Sequence, residues 1–583
     1  MPNRIQNREV FTENPRFGWQ FFPPALARAP HSFVMPARKE AGTVRIFVLG
    51  ESAALGDPEP AFGFSRILKV LLEERYPDKK FEVVNTAMTA INSNVILPIA
   101  RECARHQGDL WVVYMGNNEV VGPFGPGTIF GLQVSSLALL RAMIRLKATK
   151  TGQLIDRFLS GAGKQPEMPT SCEGMKMFLD QEITAGDPRL ERTYRYFDAN
   201  TASIVKTGLR SGVPVILCTV ASNVKDCPPF ASRHSSSLSA ADAQKWRPWH
   251  EQGRELMNDG KAGLALELFS KALALDSEYA ELQYFMGRCY LGLSRTDEAR
   301  AHFEKARDLD TLRFRADSKI NGILRHAAGQ FSGDRLVLVD AAAAVAKQSP
   351  NGLTGGEYLY EHVHFNFEGN YLLAISTAEA AQPFIEGANA SASGKEWLTR
   401  EACAKRLAYT GWAQFKNLEN MVSRMQKAPF IAQAGHAQRI RSMEETLLKW
   451  RSGWTPARVR SWVALYQEAL SRCPNDWEIH RQFAGFLEEN DDLKTALKEF
   501  HQMADALPHS GVAYYNLGRI QNKNGLYPEA IQSLTTALKL APFFHEAMNS
   551  MGIALAHQGY YREAGDWFEK AQILLDKHTQ NNR

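Results

Sequence analysis

The spacing of hydrophobic and polar positions changes several times along the chain. RIFVL (45–49), FEVVN (81–85), DLWVVY (109–114), VPVILCTV (213–220) and RLVLVD (335–340) are short, nearly continuous apolar runs. Between the first three, FSRILKVLLEERY (64–76) and NVILPIARECARHQ (94–107) carry apolar residues at helical spacing. Continuous apolar strands alternating with helices predict an α/β domain with a parallel sheet covered on both faces. The fourth strand follows a long helical stretch, and the fifth comes much later. Ahead of the first, residues 1–40 are rich in proline and aromatics (Trp19, Phe21, Phe22, Pro23, Pro24). Clustered aromatics seek burial, so this segment reads as an extended arm packed across a domain surface.

The gap between the fourth and fifth strands holds a repeat. Gly253 and Gly287 are 34 residues apart, as are Ala265 and Ala299, Phe269 and Phe303, and Ala272 and Ala306. Small residues at these points let paired helices approach closely, and the phenylalanine fills the space between them. The frame returns near the C-terminus with Ala484, Gly518 and Gly552, then Ala496, Ala530 and Ala564, then Phe500, Leu534 and Phe568. This period is the tetratricopeptide signature. The inserted pair, 246–311, has too few units to stand alone and is expected to lean on the sheet domain. The C-terminal array, 456–583, has enough for a small all-α solenoid whose groove would take a protein or peptide partner. Residues 391–455 read as a helical connector.

Composition narrows the function. The 583 residues are 44% hydrophobic and 22% charged, ordinary globular usage. Lys plus Arg number 68 against 63 Asp plus Glu, a net charge of +5, and no block of five like charges occurs, so no nucleic-acid partner is implied. No segment approaches the ~18 apolar residues of a membrane span, and the first residues lack a basic-then-apolar leader. The expectation is a soluble, cytoplasmic protein as written; an exported form would need a leader absent from this sequence. Seven cysteines without a CxxC pair argue against a disulfide framework or a structural zinc site, and reduced thiols are expected. Cys227, in a loop after the fourth strand, reads as a structural residue rather than a reactive one.

Candidate chemistry lies at the carboxyl ends of the strands, where open parallel sheets bind ligands. Strand one runs into Gly50-Glu51-Ser52-Ala53-Ala54-Leu55-Gly56, which places Ser52 as a nucleophile or as a helix cap. The hydrolase elbow GxSxG fails at Ala54 and the dinucleotide pattern GxGxxG fails at Ser52. Residues 161–165 (GAGKQ) resemble a phosphate loop but lack its first glycine and its Ser/Thr. Strand three ends in Gly116-Asn117-Asn118-Glu119, where an asparagine amide could face an oxyanion or simply form a turn. After strand five, Glu361-His362-Val363-His364 puts a carboxylate three residues before a histidine, a spacing that lets it fix the imidazole tautomer. His362 and His364 could instead form an HxH metal pair, but no third ligand is evident in the sequence nearby.

Taken in order, these segments resemble the SGNH (GDSL-type) hydrolase family over roughly 41–240 and 312–390. Gly50–Gly56 is similar to its first block, GDSxxxG. Asn85-Thr86-Ala87-Met88-Thr89-Ala90 is similar to the second, with Ala90 for glycine. Gly116–Glu119 resembles the GxND block, and Glu361–His364 the DxxH block. Glutamate replaces aspartate at 51, 119 and 361. The resemblance implies a three-layer, flavodoxin-like domain split into 41–245 and 312–390. It implies Ser52 as nucleophile, His364 as base and Glu361 as its partner. The oxyanion would be held by the N–H groups of Ser52 and Ala90 and the side chain of Asn118, without metal or cofactor. The implied reaction is hydrolysis of an ester, an O-acyl carbohydrate among the candidates. Acyl transfer to a carbohydrate hydroxyl is the first alternative, and a non-catalytic repeat scaffold with a degenerate domain is the second.

Overall fold

The computed structural model describes residues 1–23, 26–130, 134–152, 174–331, 333, 335–386 and 395–579, with side chains of the last helix to 575. Pro24 and the GAGKQ segment at 161–165 lie outside these residues. Three short strands open the chain: β1 (Pro2–Ile5), β2 (Arg8–Thr12) and β3 (Val34–Pro36). They pair antiparallel in the order β1-β2-β3. The first 40 residues are therefore more than an extended arm. The β1–β2 turn uses Gln6 and Asn7, both at positive φ (48° and 64°), the conformation a two-residue hairpin needs. Neither is the glycine that would advertise such a turn. The aromatics expected to be buried here divide: Phe21 and Phe22 are in the core, whereas Trp19 is 39% exposed.

The main sheet has five parallel strands: β4 (Thr43–Gly50), β5 (Lys80–Asn85), β6 (Leu110–Tyr114), β7 (Val215–Cys218) and β8 (Leu336–Val339), in the order β5-β4-β6-β7-β8. Phe64–Arg75, Ala341–Gln348 and Phe367–Glu386 pack together on one face; Ser93–Cys103, Pro188–Arg210 and Ser318–Gln330 pack on the other. With helices on both sides every residue of β6 is buried, which explains its unbroken apolar run. After β4 the chain turns one way to β5, while β6 lies on the other side of β4. The carboxyl ends of β4 and β6 therefore border the crevice where such sheets take their ligands.

Two helix pairs, Ala240–Asn258 with Ala262–Leu275 and Ala280–Gly292 with Thr296–Leu309, lie between β7 and the sheet-packed helix Ser318–Gln330 that precedes β8. Their glycines do what the repeat predicts. A Cβ on Gly253 would sit 2.5 Å from the Phe269 ring, and one on Gly287 2.8 Å from Phe303. The pair leans on the sheet domain through its exit. The buried Asp310 carboxylate accepts N–H bonds from Phe230 (2.9 Å) and Ala231 (3.1 Å) and pairs with Arg315 at 2.9 Å. Arg315 in turn donates to the carbonyls of Asn223 and Cys227.

The C-terminal half is helical from Arg400 onward. Trp412 of the connector helix Gly411–Met425 packs with Trp462, Tyr466, Phe483 and Phe486 in the same apolar core as the sheet domain. A separate apolar cluster begins only at Ala530. The first unit of the array is thus continuous with the α/β domain. Arg66 meets Asp476 at 2.7 Å and Arg406 meets Glu74 at 2.6 Å, while Arg481 pairs with Glu59. The N-terminal segment also reaches the array: His31 bonds Glu478 at 3.1 Å and Glu13 bonds His509 at 3.0 Å. Among the described residues no helix is long and apolar enough to cross a membrane.

Candidate active site

Strand β4 delivers Ser52. Gly50 ends the strand against β6, where a Cβ would lie 2.1 Å from the Tyr114 carbonyl oxygen. Glu51 is extended, and Ser52 then opens a one-turn helix, Ser52–Leu55, closed by Gly56 at φ +96°. A Cβ at Gly56 would meet Gly63 Cα at 2.6 Å. Ser52 Oγ lies 2.8 Å from His364 Nε2, and His364 Nδ1 lies 2.5 Å from Glu361 Oε1. With the Nδ1 proton directed to Glu361, Nε2 offers its lone pair to the Ser52 hydroxyl. Burial lowers the pKa of His364, with Asp57 raising and Arg424 lowering it in smaller measure, so the ring is held neutral, as a proton acceptor must be.

Glu361 is buried and fully engaged. Its oxygens accept the backbone N–H of His362 (2.6 Å), His364 (2.8 Å) and Val363 (3.4 Å) as well as the His364 ring. The carboxylate thus folds its own loop around itself and fixes the His364 ring in the same act. His362 is buried among Phe230, Phe314 and Phe430, with Nδ1 facing Glu361 Oε2. Desolvation first, then His364 and Arg315, push its pKa well below the ordinary histidine value.

The other two glutamates hold the neighbouring loops. Glu51 accepts N–H bonds from Gly116 (3.1 Å), Asn117 (2.8 Å) and Asn118 (3.4 Å), tying the loop after β6 to the residue before Ser52. Glu119 accepts from the Ser93 N–H at 2.8 Å and its hydroxyl at 2.7 Å. Burial and the nearby Glu119 raise the Glu51 pKa well above its usual range; burial raises that of Glu119 to about 7. The Asn118 amide donates one hydrogen bond to the Ile91 carbonyl at 3.1 Å, which orients the group and leaves its second hydrogen. Ala90 sits at φ +59°, the left-handed region that glycine favours. Among the described residues, neither the Ser52 nor the Ala90 N–H has a protein acceptor. The donors required of an oxyanion pocket are therefore not consumed elsewhere.

Glu361, His362 and His364 are also the group of three whose ligand atoms, within 4.8 Å of one another, could reach one ion among the described residues. An ion there would take one nitrogen of His364 and displace the bond that nitrogen makes, to Glu361 from Nδ1 or to Ser52 from Nε2. A cavity of about 960 Å³ opens behind this loop, between the inserted repeats and the connector, with Tyr284, Arg288, Arg439 and Trp450 in its wall. It touches Glu361 but neither Ser52 nor His364. Cys227 borders it, buried, with Gln433 Nε2 3.4 Å from its sulfur.

Sequence reasoning missed Asp57 and Arg424, which meet at 2.7 Å beside His364, and the bonds of Glu51. Asp57 follows Gly56 directly, but nothing in the sequence ties it to a residue 367 positions away.

Tetratricopeptide repeat families match residues 256–316, and 486–543 together with 515–578. These two regions are tetratricopeptide repeats. No curated protein matches the chain. Solved structures that resemble part of it include MamA MSR-1 C2, 18% identical, covering 30% of this chain and 94% of that one with a TM-score of 0.21. MamA 41-end from Desulfovibrio magneticus RS-1 is 16% identical, covering 29% of this chain and 95% of that one with a TM-score of 0.20.

Proposed function

We propose that the α/β domain is a serine acyl hydrolase of the SGNH type that cleaves an ester. The observation that carries this reading is the unbroken chain from Ser52 Oγ through the His364 ring to Glu361 at 2.8 and 2.5 Å. His364 takes the hydroxyl proton as Ser52 attacks the ester carbonyl. The N–H groups of Ser52 and Ala90 and the Asn118 amide receive the negative charge on the carbonyl oxygen. The leaving alcohol takes the proton from His364, and water, activated by the same imidazole, releases the acyl group from Ser52. The glutamates at 51, 119 and 361 each accept backbone N–H bonds from the loops around the site. That favours a working site over a degenerate one. A fluorophosphonate probe tests the reading: covalent labelling at Ser52 supports it, and no labelling of the folded protein overturns it.

Tetratricopeptide repeats are protein-interaction modules, and a protein partner is the second part of the reading. Glu478, Arg481 and Glu489 of the first C-terminal unit are already bonded within the chain, to His31, Glu59 and Trp412. The partner surface is assigned to the later units, where Val512 (50%), Phe543 (65%) and Tyr561 (75%) are exposed.

A further inference from the structure

A second carboxylate stands on the side of His364 that faces Ser52. Asp57 follows the glycine that closes the nucleophile's turn, and its Oδ2 is 3.3 Å from His364 Nε2. The same oxygen accepts a hydrogen bond from Arg424 Nη1 at 2.7 Å. Asp57 belongs to the sheet domain, whereas Arg424 belongs to the connector helix Gly411–Met425. The charged and titratable groups around the imidazole are therefore Glu361 and His362 from its own loop, Asp57 from the nucleophile turn and Arg424 from the connector. Arg28 of the N-terminal segment is near enough to bear on Asp57.

The two protonation states of His364 meet Asp57 differently. In the resting tautomer Nε2 presents a lone pair, and a carboxylate oxygen beside it is repelled; Arg424 on that oxygen offsets the repulsion. When Ser52 attacks, its O–H bond breaks, the electron pair forms the new bond to the ester carbon, and the proton joins Nε2. An imidazolium N–H then lies within reach of Asp57, and the contact becomes attractive. An interaction realised only as the proton moves lowers the barrier rather than the energy of the resting state.

We propose that Asp57 is a second carboxylate partner of the His364 imidazolium and that Arg424 is the positioning residue that docks the connector helix onto it, so that the catalytic site is completed from outside the α/β domain. This inference rests on the acyl-hydrolase reading. The two charges act on the imidazolium with opposite sign, which gives the test its direction.

The experiment measures the rate of fluorophosphonate labelling of Ser52 against pH in the full chain and in three variants. Asp57→Asn removes an anion that favours the imidazolium: the acid limb moves to lower pH, and the plateau rate falls about tenfold. Arg424→Gln removes a cation that opposes it, and the limb moves to higher pH. Arg424→Lys keeps the charge and leaves the limb in place; if the glutamine variant fails to fold, Asp57→Asn decides alone, and an unmoved limb there overturns the inference. Equal midpoints in the parent, Asp57→Asn and Arg424→Gln, or shifts of the same sign, overturn the inference while leaving the nucleophile intact. No labelling of the parent overturns the acyl-hydrolase reading and this inference with it.

Discussion

Glu361 holds His364 twice, once by the ring at 2.5 Å and once by the backbone N–H at 2.8 Å, both through the same oxygen. Its other oxygen holds the His362 N–H. Glutamine can present an acceptor to only one of these two sides. Glu361→Gln is expected to lose turnover on the order of 10³–10⁴, as when a triad carboxylate no longer fixes the tautomer. The melting temperature should also fall, because one backbone N–H of the loop loses its acceptor. Ester hydrolysis and a melting curve on the same preparation check both. Unchanged turnover would assign the orienting role to another group.

Ser52→Ala removes the oxygen proposed to attack and nothing the fold depends on, since the Ser52 hydroxyl bonds only to His364 among the described residues. Ester cleavage should vanish while circular dichroism and melting stay close to the parent. Asn118→Ala should cost about 10²–10³ in turnover, the usual loss for one oxyanion donor. It should leave the rate of substrate capture less affected than the rate of chemistry.

Gly56 closes the nucleophile's turn at φ +96° and touches Gly63. Gly56→Ala combines a left-handed backbone with a clash against main chain. The expected destabilisation is about 2 kcal/mol or more in chemical unfolding. Ser52 labelling should slow, because Leu55 and Ser52 move with the turn.

Glu119 adds a pH dependence of stability. Its folded pKa is raised to about 7 from an ordinary 4.5, so between those values the unfolded chain ionises before the folded one. The native state then binds more protons, and stability falls as pH rises through that window. Glu119→Gln removes this loss and keeps an acceptor for the Ser93 N–H. Its melting temperature relative to the parent should rise from pH 4.5 to pH 7.5; a difference independent of pH would assign the window to another group.

The continuity of the core sets the outcome of truncation. Removing 545–583 takes away only the last helix pair, from the separate cluster that begins at Ala530. Ser52 labelling should persist. Removing 456–583 strips Trp462, Tyr466, Phe483 and Phe486 from a core shared with the sheet domain. That protein should not be recovered folded, as judged by solubility and a cooperative melt.

What the sequence makes visible depends on whether the cause is local. The five strands are legible because strands covered on both faces must be apolar throughout, as β6 is. The repeats are legible because a glycine under a phenylalanine recurs every 34 residues, as Gly253 under Phe269 and Gly287 under Phe303. Ser52 and Asn118 stand out because each follows a strand end, and His364 because a carboxylate stands three residues before it. The N-terminal sheet is hidden because Gln6 and Asn7 take a glycine-like conformation without glycine. The bonds from Glu51 to the loop at 116–118, and from Asp57 to Arg424, depend on how distant segments meet, which no local pattern records.

The placement of the repeat insert also fixes an order of events during synthesis. Ser52 leaves the ribosome 312 residues before His364, with the insert between them. At bacterial or eukaryotic elongation rates that gap lasts roughly a quarter of a minute to a minute. Throughout it Ser52 lacks the imidazole it bonds in the folded chain, and until near its end strand β8, the edge strand that precedes the His364 loop, does not yet exist. The contact between Ser52 and His364 forms only after the insert has been made and the sheet's last strand has joined.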